Sequence, residues 1–209
     1  MAARYGQDLL PGTSPSDLPA FLVEGRRPSL RELLPFVVRR SWLRLRWGRR
    51  IELGSGVLVG PRVRLELERG ARLALGSGVW LGGRTRVRAR GVVRFGHGTL
   101  VGPGCAVVAS REVAVGEGCS LGDEVMLSDT RVSYEDAERP TRLQPAIAVP
   151  VRVHDRARIG HRACLLAGAE VGEGSAVGAR VVVEGRVPAG AVFSGVPAPR
   201  QTEARRRSP

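Results

Sequence analysis

The chain contains no lysine: all 33 of its basic residues are arginines. Aromatics are scarce at 4%, so a core must be filled by small and branched aliphatics, which a hydrophobic fraction of 43% can supply. Cys105, Cys119 and Cys164 form an odd set without metal-ligand spacing, which argues against a disulfide framework and fits a reducing compartment. The polar N-terminus does not read as a signal peptide, and no run approaches the roughly 18 apolar residues that span a bilayer. These absences place the protein in the cytoplasm, at most lying on the inner membrane face.

Arginine and glycine are abundant instead. The formal charge is +13, but nine arginines lie between Arg26 and Arg50 and four more follow Pro199. The excess therefore sits on two flanks while the body is nearly balanced. No aromatic–basic platform accompanies it, so nucleic acid is not expected as a partner. Solvation, acidic lipid or a phosphate-bearing ligand accounts better for such flanks.

The 28 glycines fall at near-regular intervals, the mark of a repeat. From residue 53 the pattern reads aliphatic, Gly, two turn-like residues, a small residue and a variable one, as in Leu53-Gly54-Ser55-Gly56-Val57 and Val115-Gly116-Glu117-Gly118-Cys119. The aliphatics stand at 53, 59, 65; 75, 81, 87; 95, 101, 107; 115, 121, 127; 153, 159, 165; and 171, 177, 183. Each triplet predicts one coil of three short strands. The first position points inward, glycine gives the corner its backbone freedom, and the fifth position turns into a narrow corner and must be small. A helix needs a 3.6-residue period and does not tolerate this much glycine. The fold class is all-β: a parallel β-helix, or hexapeptide-repeat solenoid, with an N-terminal helical and irregular extension and one protruding loop. Cys105 and Cys119 occupy fifth positions, so packing explains them.

The expected organisation is an arm and capping segment over 1–50, the solenoid over 51–198, and a basic tail over 199–209. Ser29-Leu30-Arg31-Glu32 has the form of a capping box ahead of Leu33, Leu34, Val37 and Val38 at helical spacing. Pro35 is expected to kink or restart that helix. Trp42 to Trp47 alternates and reads as a first strand. The segment is either a lid on the solenoid's open end or an Arg-rich amphipathic piece resting on a membrane surface. Between Leu127 and Val153 about 20 extra residues leave a corner as a loop, 129–150, and loops on rigid repeat scaffolds commonly carry function.

Repeats, loop and the closing phrase Phe193-Ser194-Gly195-Val196-Pro197-Ala198 together resemble the hexapeptide-repeat acyltransferases, especially the galactoside and surface-polysaccharide O-acetyltransferases. The resemblance covers about residues 53–200. It implies a left-handed coil, which periodicity alone does not show and which is rare among parallel connections. It also implies a homotrimer with active sites in grooves between subunits, acetyl-CoA or another acyl-CoA as donor, no metal, and a small-molecule or glycan acceptor.

In that family the loop supplies a histidine, often as Asp-x-x-His, to deprotonate the acceptor hydroxyl. The matching phrase here is Asp129-Thr130-Arg131-Val132, and no histidine occurs between His97 and His154. The candidate substitutes are His161, at a position that lines the thiol end of CoA, and His154, just after the loop. His97, Tyr134, Glu135 and Asp136 are weaker candidates. Each histidine also reads simply as a solvated corner residue. For the donor, the resemblance points to Arg158, Gly160, Gly178, Ala179, Arg180, Gly195, Pro197 and Arg200. Two departures stand in that groove: Arg158 where the family has Trp, and Glu184-Gly185 where it often has Thr-Lys. The functional readings are an O-acyltransferase with a displaced base, a non-catalytic trimeric scaffold that still binds acyl-CoA, and a zinc hydratase resembling the γ-carbonic anhydrases.

Overall fold

Short strands with an inward aliphatic every six residues leave little for a coil to bury by itself, so its backbone groups and apolar column must be completed by the coils above and below. The computed structural model, which describes residues 30–132 and 145–194, has this arrangement. Sheet A stacks β1 (Ile51–Leu53), β4 (Arg72–Leu75), β7 (Val92–Phe95), β10 (Glu112–Val115), β15 (Val151–Val153), β18 (Glu170–Val171) and β21 (Arg186–Val187). Sheet B stacks β2 (Leu58–Val59), β5 (Trp80–Leu81), β8 (Leu100–Val101), β11 (Ser120–Leu121), β16 (Arg158–Ile159), β19 (Ala176–Val177) and β22 (Val192–Phe193). Sheet C stacks β3 (Arg64–Leu67), β6 (Arg86–Ala89), β9 (Ala106–Ala109), β12 (Met126–Ser128), β17 (Cys164–Leu165) and β20 (Val182–Val183). All of these pairings are parallel, and successive strands of one sheet belong to successive coils.

The inward columns follow the six-residue reading. On sheet A, Leu53, Leu75, Phe95, Val115, Val153, Val171 and Val187 are register partners. Sheets B and C carry equivalent buried stacks, among them Leu81–Val101–Leu121–Ile159 and Val87–Val107–Leu127–Leu165. The fifth-position residues Val57, Val79, Thr99, Cys119, Ala157 and Ser175 are all buried. Of the polar corner residues, Ser175 bonds the Gly172 carbonyl in its own turn at 2.6 Å, and others bond to the next coil. The Thr99 hydroxyl donates to the Gly116 carbonyl at 2.7 Å, Cys105 Sγ to Gly122 at 3.2 Å, and Cys119 Sγ to His154 at 3.1 Å.

Coils before the loop are wider than a strict hexad pattern. Their sheet A and C strands run to four residues, whereas those after it have two or three. The width admits extra inward residues, Leu73, Val93 and Val113 on sheet A and Leu67, Ala89 and Ala109 on sheet C. Buried Asp129 ends the latter column. Its carboxylate accepts from the backbone N–H groups of Ser110 (2.8 Å), Arg111 (2.6 Å) and Glu112 (2.8 Å), closing the C-to-A corner where the loop departs. The loop then opens as an antiparallel pair, β13 (Thr130–Val132) with β14 (Ala146–Ala148), so its root is a hairpin stem.

One expectation for the N-terminal segment is corrected. Leu30–Trp47 is one helix, α1, which continues through Pro35, and Trp42–Trp47 is its last part rather than a strand. Pro35, the sixth residue, removes one N–H from the helical ladder, and the helix nonetheless continues past it. Phe36, Leu43 and Trp47 share the inner face at helical spacing, and tertiary packing prevails over local alternation. Leu43 is buried, Trp47 packs on the core, and Phe36 meets Trp80 edge-on at 5.7 Å. Arg39 and Arg40 donate to the Val59 and Gly54 carbonyls at 3.3 and 3.0 Å. The helix is therefore a lid on the first coil. Leu34, Val37, Val38, Trp42 and Leu45 form its opposite, exposed face.

Close backbone approach sets the strictest demand on sequence. A Cβ on Gly82 would lie 2.5 Å from backbone atoms of the next coil, whereas one on Gly185 would meet nothing within 4 Å. Gly82→Ala should therefore lower stability by about 1–3 kcal/mol or more in urea unfolding, and Gly185→Ala should leave the midpoint nearly unchanged. Equal effects would contradict the stacking account. Burial pushes the Cys105 thiol up to about 12 and the Cys119 thiol up to about 11. In the native protein at neutral pH, Cys164, which is only partly buried, should react with a thiol reagent while those two stay silent until denaturant is added.

Candidate functional site

The corners between sheets form two edges that carry the chemistry. On the A–B edge, a residue's backbone N–H in one coil is capped by a side chain of the next. Ser55 N–H donates to Ser77 Oγ (3.2 Å), Ser77 N–H to His97 Nδ1 (2.8 Å), and Glu117 N–H to Asp155 Oδ1 (2.8 Å). The B–C edge repeats the device once, Asp123 N–H donating to His161 Nδ1 at 3.0 Å. His97 and His161 are thus rungs of corner ladders. Acceptance at Nδ1 fixes the neutral tautomer of each ring with its proton on Nε2.

That tautomer gives His161 a proton to donate and no free lone pair to act as a base. Its Nε2 is buried without a hydrogen-bond partner. Asp123 Oδ2 lies 3.6 Å from its Nδ1. Beside it, Arg162 bonds Glu124 at 2.6 Å, and this bond, above all, holds the Glu124 carboxyl below the usual range. Gly160, Gly178, Ala179 and Arg180 occupy the same edge, Arg180 in the left-handed region at φ 60, while Arg158 faces outward from sheet B nearby. The structure brings these donor-site candidates together with His161. Stacking alone accounts for Gly160, whose Cβ would lie 2.5 Å from the Ala179 nitrogen.

His154 lies on the other edge. It stands in the column of Gly54, Gly76, Gly96 and Gly116, and its side chain turns outward along sheet A. Its Nε2 lies 3.0 Å from Glu170 Oε1, and the histidine hydrogen bond is the main reason the Glu170 carboxyl is held below its ordinary value. Nε2–H donation to the carboxylate leaves the lone pair on Nδ1, the orientation a carboxylate imposes on a general base. His154 borders a groove of about 630 Å³ that crosses five coils. Ala74, Ala114 and the glycines form its floor, and Arg94, Arg152, Glu117, Asp155 and His97 its polar lining. Glu170 escaped sequence reasoning, for only the coil register places it beside a residue 16 positions earlier.

His161 stands on a different edge from His97 and His154, so the three rings do not converge on one ion as a zinc site requires. No group of three or more metal-ligating side chains occurs among the described residues. Val132, in the loop histidine's place, pairs with Ala146 in the hairpin ladder. Tyr134, Glu135, Asp136, Gly195, Pro197 and Arg200 lie outside the described residues.

No known family profile matches the chain. A 56-residue stretch is 45% identical to 2,3,4,5-tetrahydropyridine-2,6-dicarboxylate N-acetyltransferase of Staphylococcus aureus, covering 27% of this chain and 23% of that enzyme. The chain thus spans about a quarter of the length of the curated relatives it matches. Among solved structures, a mutant of AntD, an N-acyltransferase from Bacillus cereus in complex with dTDP and coenzyme A, aligns over 76% of this chain and 85% of its own at TM-score 0.64 and 15% identity. A hexapeptide-repeat-containing acetyltransferase from Vibrio cholerae, complexed with acetyl coenzyme A, aligns over 75% and 70% at TM-score 0.53 and 19% identity. By fold, the chain is a left-handed parallel β-helix of the kind the hexapeptide-repeat acyltransferases share.

Proposed function

We propose that the protein transfers an acyl group, acetyl foremost, from acyl-CoA to a hydroxyl of a sugar, glycan or similar small acceptor. The observation that carries this reading is the His154–Glu170 pair bordering an open groove, a base with its orienting carboxylate on a fold shared with CoA-bound acyltransferases. His154 Nδ1 takes the acceptor's proton as its oxygen attacks the thioester carbonyl. Glu170 stabilises the imidazolium that forms. The unpartnered Nε2–H of His161 is the donor that a side-chain movement would expose to a developing oxyanion. Collapse expels the CoA thiolate, which takes the proton held by the His154 imidazolium and so restores the base. CoA supplies the activated acyl group; Arg158 and Arg180 suit its phosphates by charge.

His154 and His161 occupy different edges, so both serve one reaction when the A–B edge of one protomer faces the B–C edge of its neighbour. That arrangement agrees with the expected homotrimer. No helix among the described residues is long and apolar enough to cross a membrane. The exposed apolar face of α1, with arginines along the same helix, supports peripheral contact with the inner face of a membrane. Valine in place of the loop histidine favours a second reading, a trimeric scaffold that binds acyl-CoA without turning it over.

Thiol release from acetyl-CoA with a panel of sugar and amino-sugar acceptors separates the two. His154→Ala should reduce kcat by about 10²–10⁴-fold, and Glu170→Gln by less, with the oligomer intact. CoA binding without release on any acceptor would establish the scaffold reading instead. Mixing unfolded His154→Ala and His161→Ala chains and refolding them together should restore about a quarter of wild-type activity, the fraction of grooves that pair two intact edges in a random cyclic assembly. No recovery would show that the two histidines do not share a groove between protomers.

A further inference from the structure

Helix α1 takes the place of a missing coil. In the second coil the Leu81 carbonyl accepts from Gly60 of the coil before it, at 2.8 Å. Its register partner in the first coil, Val59, has no coil before it, and its carbonyl accepts from Arg39 of α1 at 3.3 Å. With Arg40 on Gly54 and Leu43 buried, the helix is fixed across the end of the solenoid. Its other face therefore points away from the coils.

That face is apolar. Leu34, Val38, Trp42 and Leu45 recur at four, four and three residues and form one stripe, with Val37 beside it. All five are more than half exposed, Leu45 at 87%. The stripe is about 17 Å long at the helical rise of about 1.5 Å per residue. Its borders are cationic: the helical turn sets Arg44 on one side and Arg46 on the other, Arg49 follows the helix, and all three are exposed. Between Glu32 and Glu52 the chain has six arginines and no carboxylate side chain. An apolar stripe between cationic borders fits a bilayer with anionic headgroups, the apolar side chains entering the acyl boundary while guanidinium groups meet phosphates. A second copy of the chain would cover the same stripe only by bringing identical arginines together.

We propose that α1 is a docking face for an anionic bilayer and stands the solenoid upright, its first coil at the membrane. The docking rests on the peripheral contact read above and not on acyl transfer. One consequence rests on acyl transfer as well. His154 follows β15 in the fifth coil, four coil spacings of about 4.8 Å, or about 19 Å, beyond the first. The acylated hydroxyl then stands clear of the headgroups, on a soluble acceptor or the outer part of an anchored one.

Flotation of the full chain with vesicles of phosphatidylcholine, alone or mixed with phosphatidylglycerol, tests the face. Wild type should float with the mixed vesicles, and salt should release it. Trp42→Ser/Leu45→Ser should weaken partitioning about tenfold or more while melting with the wild type, since neither side chain is packed. Arg44→Gln/Arg46→Gln should lose the preference for phosphatidylglycerol. The Arg111→Gln/Arg156→Gln control, which removes two exposed arginines from later coils, should bind as wild type does. Absence of vesicle binding, an equal loss in the control, or a dimer that Trp42→Ser/Leu45→Ser dissolves in place of vesicle binding would overturn the face. A fluorophore on Cys164, also in the fifth coil, should escape quenching by headgroup-nitroxide lipid; its quenching would overturn the upright orientation. Absence of thiol release from acetyl-CoA in solution bears on the acyl-transfer reading alone.

Discussion

Hydrogen bonding between successive coils governs everything else in this protein. Each short strand finds backbone partners only in the coils above and below, with bonds of 2.7–3.2 Å between coils at the corners, and the coils must approach until glycine is the residue that fits. That approach fixes the register, and the register fixes which side chains meet. Residues far apart in sequence become neighbours by stacking, while residues a few positions apart go to different edges.

This division distributes the chemistry. Thr99, Cys105 and Cys119 turn inward and spend their donors on carbonyls of the next coil, which leaves the two cysteines as packing elements. His97 and His161 turn out at corners and cap backbone amides through Nδ1. His154 replaces a glycine of the repeat and is free to pair with Glu170. One imidazole thereby points Nε2 at a carboxylate and the other two point Nδ1 at backbone amides, although the three rings are chemically alike.

Much of this was legible in the sequence because the repeat translates position into direction. The aliphatics at six-residue spacing gave the coils, and Cys105 and Cys119 read correctly as inward corner residues. The wider coils before the loop were less visible, for Leu73 and Val93 lie between hexads and look like irregularities until the register aligns them. Trp42–Trp47 misled because alternation over six residues does not reveal that Leu43 and Trp47 face the end of the solenoid from a helix. The His154–Glu170 pair was hidden for a deeper reason: its partners meet through stacking of adjacent coils, which turns a separation of 16 residues into a contact. The tautomer of His161 likewise depends on a backbone amide in another coil.

In the function we propose, acyl donor and base lie on separate edges of the solenoid. Crystals grown with CoA test that assignment most directly. Density for the coenzyme is expected along the B–C edge at Gly160, Gly178 and Ala179, its thiol end toward His161 Nε2 and a neighbouring protomer's His154 across the groove. Coenzyme bound on the outer face of sheet C, or no coenzyme at saturating concentration, would contradict it.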